Sequence, residues 1–295
     1  MGLDINSVLF LIHARKQGID FGDVLMIGRQ QLMVYPSRIK QLLDGIGVQS
    51  DLFAPGAPDT EFAEPLFKAL GARSVRSMDV SSFEGAEVLH DLNKPIGSNL
   101  KEKFDLVYDG GTLEHVFNFP VALQSCMEMV RPGGWLFLDT LANNWCGHGF
   151  YQFSPELFFS ALSEENGYAL EQMVAHAVGP YNRWLEVSDP RKIRSRIELI
   201  TWFPVNLKIR ARRNKVVPVF ATPPQQSDYV PRWTDQASPG SPPEQAPGLY
   251  LPSRPALAKF LPGLARLLDA TKTGWRFWRT FSIRNRKNFK PIKKG

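Results

Sequence analysis

The chain has little of what would staple, anchor or metallate it. Its 295 residues include two cysteines, Cys126 and Cys146, with no CxxC spacing. That excludes a disulfide framework and a cysteine-built zinc site, and it suits a reduced, cytoplasmic compartment. No apolar run approaches the roughly 18–20 residues of a membrane span. Residues 8–12 are apolar but too few for a signal-peptide core, and no basic start precedes them. Met1-Gly2 is followed by Asn6 where a myristoylation signal needs Ser or Thr. Histidine is scarce, at five residues, and no HExxH, Walker loop or Ser-His-Asp order appears, so no metal is implied. There is no internal repeat.

The charge is unevenly spread. Residues 251–295 hold 12 Lys/Arg against one acid, Asp269, whereas the remainder holds 23 Lys/Arg against 28 Asp/Glu. A mildly acidic body is thus joined to a basic tail, and the overall pI of 9.3 describes the tail rather than any site. Between them, residues 221–255 are rich in Pro, Gln, Ser and Gly and nearly free of aliphatics. Such a stretch buries too little apolar area to offset its ordering entropy and reads as an extended linker. Four parts follow: an N-terminal helix (1–20), a globular domain (21–220), the linker (221–255) and a basic amphipathic tail (256–295).

Within the globular part, apolar positions at helical spacing predict a helix over 4–18. Short helices are expected at 36–43, with Pro36 near its start, and at 62–71, ended by Gly71. Ser154 and Pro155 mark the start of another at 155–162. Buried strands are expected at 24–27, 74–78, 87–90, 104–108 and 135–139, and later ones at 169–178, 196–203 and 205–211.

The most informative stretch is FDLVYDGGTLEHV at 104–116, followed by a helix over 119–129 and then VRPGGWLFL at 130–138. A buried strand, a polar loop, a helix, a Pro-Gly-Gly turn and a second buried strand make one right-handed crossover of a parallel sheet. Its polar groups lie at the carboxyl end of the first strand, where such sheets bind ligands. This run resembles the central part of class I S-adenosylmethionine-dependent methyltransferases. The resemblance covers about residues 22–203. It implies a Rossmann-like α/β fold, mainly parallel with helices on both faces, and S-adenosylmethionine as cofactor.

Carried over position by position, the resemblance implies the following cofactor residues. In VLMIGRQQ at 24–31, Gly28 matches the first glycine of the cofactor loop, while Met26 stands in place of the usual acid and Gln30 in place of the second glycine. In LGARSVRSMD at 70–79, Asp79 matches the acid that receives the ribose hydroxyls, although it follows Gly28 by 51 residues rather than about 20. An insertion over residues 29–59 accounts for the excess. In VLHDLNKP at 88–95, Asp91 and Leu92 match the adenine-contacting motif. Asp109 and Gly110 match the wall of the cofactor pocket. Asp79 is equally well read as a turn residue that ends its strand; for Asp91 the neighbouring residues share the resemblance and favour the cofactor role over a solvated turn.

For proton transfer or acceptor contact the candidates are His115, His148 and Tyr151. An imidazole titrates near neutrality, and NNWCGHGFYQFSP at 143–155 gathers polar, aromatic and glycine residues as a substrate lid would. His115 is also well placed simply to orient its loop, and Glu114 to face a helix N-terminus. The expected reaction is O-methylation of a saccharide or small metabolite. Two alternatives stand beside it: a catalytically inactive scaffold of the same fold at a membrane surface, and an RNA methyltransferase. Interleaved Trp, Phe and Arg in 256–295 suit an anionic membrane surface first and RNA second, so the protein is expected in the cytoplasm, with peripheral membrane contact through this tail.

Overall fold

The computed structural model describes residues 2–53, 61–178, 183–227 and 282–292, with a few positions between 263 and 275. Residues 228–255 of the expected linker and about half of the expected tail lie outside the described residues.

In chain order the elements are β1 (Gly2–Leu3), α1 (Ile5–Lys16), β2 (Asp23–Ile27), β3 (Gln31–Leu32), α2 (Pro36–Asp44), α3 (Glu64–Ala69), β4 (Ser74–Asp79), β5 (Val88–Leu89), β6 (Phe104–Asp109), α4 (Phe119–Met129), β7 (Val130–Asn143), α5 (Pro155–Ala161), β8 (Tyr168–Ala177), β9 (Trp184–Val187), α6 (Pro190–Ile193), β10 (Val205–Arg213) and β11 (Phe289–Ile292). Nine strands form one sheet in the order β11-β9-β8-β10-β7-β6-β2-β4-β5. From β5 to β7 every pairing is parallel; from β7 to β11 every pairing is antiparallel. The parallel half, taken alone, has the doubly wound order 3-2-1-4-5, which reverses between β2 and β6. The expected α/β class holds, and the antiparallel half makes the sheet more mixed than the sequence suggests.

Successive strand residues face opposite sides, and that alternation divides the core in two. Leu25, Ile27, Val107, Leu136 and Leu138 pack under α4 and α5. Val24, Met26, Leu106, Tyr108 and Phe137 pack under α1, α2 and α3. Helix α1 begins where the Asp4 side chain accepts the Ser7 N–H, and α5 where Ser154 accepts that of Glu156, with Pro155 at its first turn.

Two sequence expectations change. The segment 196–203 forms no strand: β10 already pairs with β7 on one side and β8 on the other, so no edge is left beside it. It crosses the end of β7 instead, where Asn144 donates to the Thr201 and Phe203 carbonyls. The strand added beyond β8 is β9, which the sequence pattern did not indicate. The insertion over 29–59 is also ordered in large part: it carries β3, which pairs with β1, and α2.

The ends of the linker and tail are held as well. Glu156 on α5 accepts the Ser227 N–H and hydroxyl at 2.8 and 3.1 Å. Residues 289–292, read as tail, form β11 along β9, with Phe289 fully buried. No helix among the described residues is long and apolar enough to cross a membrane.

Candidate active site

The parallel strands bring their last residues to one edge of the sheet. Gly28 follows β2 with φ +69°, and its N–H donates to the Met78 carbonyl at 2.7 Å. Glycine is at home in that left-handed conformation. Gln30 turns back into the space beyond it. Its amide is fully buried and donates to the Ile27 carbonyl at 2.7 Å, and its Oε1 has no partner. A Cβ on Gly110 would lie 2.5 Å from that oxygen, so the two loops meet at Gln30 with no room for a side chain at 110. Arg29 points away, pairing with Glu64 at 2.7 Å, donating to the Glu84 carbonyl and covering the Phe62 ring.

At the next strand end the Asp79 carboxylate accepts the N–H of Val80 at 2.6 Å. Asp91 closes a turn on Asn93, accepting its N–H and side-chain amide, with Lys94 at 3.4 Å. Those bonds from Asn93 hold its carboxyl below the usual range. Leu92 is buried in the core under α4.

Asp109 and Glu114 are the unusual pair. Asp109 is fully buried; Oδ1 accepts the Thr112 N–H at 3.0 Å and Oδ2 has no partner. Burial, reinforced by Glu114, pushes its carboxyl well above the ordinary value. Glu114 accepts the Thr140 hydroxyl through Oε2 at 3.1 Å, leaves Oε1 without a partner, and is pushed up by burial to about 7. Two buried carboxyls with unmet lone pairs at the ligand-binding edge fit a cationic group better than an anionic one. S-Adenosylmethionine carries an ammonium and a sulfonium, so these acids suit it, while Gln30 fills part of the space beside Gly28 and Gly110.

The loop after β7 folds onto the same edge. The Phe150 N–H donates to the Glu114 carbonyl at 2.9 Å, and Gly149 packs so close to that oxygen that a Cβ would stand 2.8 Å away. This brings His148 beside His115, ring centroids 5.3 Å apart, with the Trp145 ring edge-on to His148. Both imidazoles are exposed, and partial burial together with His148 lowers the pKa of His115. The Tyr151 hydroxyl donates to the Phe117 carbonyl at 2.7 Å, and Phe117 and Phe150 form an exposed aromatic rim. The predicted residues therefore fall into two groups along one edge: Gly28, Asp79, Asp91, Leu92, Asp109 and Gly110 at the strand ends, and His115, His148 and Tyr151 over Glu114.

A polar cluster beneath α1 escaped the sequence reading. Lys208 is fully buried on β10 and bonds Asp139 and, at 3.0 Å, the Ser7 hydroxyl, with Asp4 at 3.6 Å. The Ser7 hydroxyl lies 2.5 Å from Asp139 and 2.8 Å from Asp4. The alternation of apolar and basic residues along 205–211 was the available signal, since on a strand covered by α1 the basic face is an interior face.

A cleft of about 400 Å³ opens at the opposite edge, lined by Gln17, Asp20, Asp105, Arg131, Trp135 and Arg210 among others. It lies at the amino ends of the parallel strands, away from every residue above.

No protein-family model matches the chain, and no curated protein matches it in sequence. Solved structures resemble it loosely. The 1,6-didemethyltoxoflavin-N1-methyltransferase of Burkholderia thailandensis, solved with 1,6-didemethyltoxoflavin and S-adenosylhomocysteine, is 14% identical over 70% of this chain and 77% of its own, with a TM-score of 0.38. The N-methyltransferase NodS of Bradyrhizobium japonicum is 13% identical over 70% and 94%, with a TM-score of 0.37. A branched-chain polyamine synthase from Thermus thermophilus, in complex with N4-aminopropylspermidine and 5′-methylthioadenosine, is 14% identical over 75% and 60%, at 0.34. At these scores the likeness is in the course of the chain, and the chemistry is read from this protein's own residues.

Proposed function

We propose that the protein is an S-adenosylmethionine-dependent methyltransferase that methylates an oxygen of a saccharide or another small metabolite. The observation that carries the proposal is the pair Asp109 and Glu114, buried at the carboxyl edge of a doubly wound sheet with an oxygen each unpartnered. Asp79 would receive the ribose hydroxyls, Leu92 would line the adenine, and Asp109 would face the ammonium group. Bound there, the cofactor would supply an electrophilic methyl group on its sulfonium. The chain's own part is to orient the acceptor and take its proton. His115, whose pKa partial burial and His148 lower, would take that proton where no metal ion holds its ring nitrogen. Tyr151 and the Phe117–Phe150 rim offer an aromatic surface for a sugar ring or a flat metabolite.

Calorimetric titration of the full chain with S-adenosylhomocysteine tests the proposal. Saturable heat with a raised melting temperature is expected; neither heat nor thermal shift at millimolar ligand would overturn it. One observation favours a second reading, a scaffold of this fold without cofactor, held at an anionic membrane by residues 256–295. Gln30 fills the space between Gly28 and Gly110. That reading predicts no response in the same titration, and recovery of binding in Gln30→Gly would assign the block to this side chain.

A further inference from the structure

Residues 115 and 148 stand 33 apart in sequence, yet one ring nitrogen of each and one carboxylate oxygen of Glu114 lie within 4.8 Å of one another. We propose that Glu114, His115 and His148 bind a divalent transition-metal ion, zinc or one of its first-row neighbours. Two imidazoles and one carboxylate are a donor set these ions take, leaving at least one coordination position open. Donors around such an ion sit roughly 3.4 Å apart in tetrahedral geometry, so the present spacing, 4.8 Å at its widest, needs to close by at most about 1.4 Å. The two histidine rings are exposed, whereas Glu114 is buried and held by Thr140.

Three independent observations support a ligand here. Glu114 Oε1 is buried without a partner, a state that a cation would relieve. Thr140 donates to the other oxygen, in the manner of the outer-shell groups that orient metal-bound carboxylates. The close approach of Gly149 to the Glu114 carbonyl is what brings His148 over His115, and a side chain at 149 would push the loop away. The open position would face the aromatic rim, where a coordinated acceptor hydroxyl would ionise more readily and lose its proton to water. That role toward the acceptor rests on the methyltransferase reading; the metal site does not.

The test uses the full chain, stripped with chelator and titrated with Co2+, whose visible absorbance reports coordination by nitrogen and oxygen. One equivalent is expected to bind, Zn2+ to displace it, and His115→Ala and His148→Ala each to weaken binding at least about tenfold with unchanged circular dichroism. Cys146 is exposed two residues from His148, so the titration is repeated in Cys146→Ser; a signal lost there would mean that the thiol binds the ion and would overturn the proposal. So would the absence of Co2+ absorbance, or its persistence in both histidine variants. Co2+ binding without S-adenosylhomocysteine binding sustains the metal site while overturning the cofactor reading, and the converse overturns the metal site alone.

Discussion

Replacing Lys208 by Met should be among the most damaging single changes in the protein. The ammonium is fully buried and bonds Asp139 and Ser7, with Asp4 nearby. Removing it leaves the Asp139 carboxylate in the interior with only the Ser7 hydroxyl, whose single proton it shares with Asp4. Breaking a buried pair from one side costs about 3–5 kcal/mol, because an uncompensated charge stays behind. Replacing both members by apolar groups of similar size is commonly neutral or better. Urea denaturation at pH 7 should therefore show Lys208→Met about 3–5 kcal/mol less stable than wild type, and Lys208→Met/Asp139→Leu substantially recovered. The acid limb gives a second signature. Burial raises the Asp4 carboxyl, but Lys208 and the bonds from Ser7 outweigh it and hold the group well below its ordinary 3.8. A depressed folded value contributes stability that is present above pH 3.8 and lost as pH falls toward the folded value. Lys208→Met should flatten that loss. A Lys208→Met cost under about 1 kcal/mol, or single costs that simply add in the double variant, would refute the reasoning.

Two further outcomes are expected. In metal-free protein Glu114 holds a proton up to about pH 7, above the 4.5 of an ordinary glutamate; the raised folded value means that stability falls as pH rises from 4.5 through 7. Glu114→Gln imitates the protonated form, so its stability relative to wild type should climb across that window in urea titrations, and a difference independent of pH would contradict the assigned burial. Phe289→Ala should cost about 3–5 kcal/mol, as a fully buried Phe does; a cost under about 1 kcal/mol would mean that 289–292 do not dock on β9.

Local sequence determined a good deal. The short apolar runs at 24–27, 104–108 and 135–139, the capping of α1 and α5 and Pro155 at a first turn each set a local geometry, and together they set the α/β class; the Pro-Gly-Gly turn expected before 135 is instead taken into β7, which starts at Val130 and passes through Gly133 with a positive φ. They also placed the polar ends of β2, β4 and β6 on one edge, because consecutive right-handed crossovers keep parallel strands pointing the same way. The tertiary structure decided what depends on partners distant in sequence. Strand 196–203 failed because both sides of β10 were taken, and β9 and β11 exist because an edge was still open beyond β8. Lys208 became an interior residue only because α1 covers its face with Asp4 and Ser7. Gln30, visible in the sequence as a departure, turned out to fill the space at Gly110, and His148 reached His115 because Gly149 lets one loop lie on another. Periodicity and caps act over a few residues; which edges stay open, and which side chains meet across them, is settled by the whole chain packing at once.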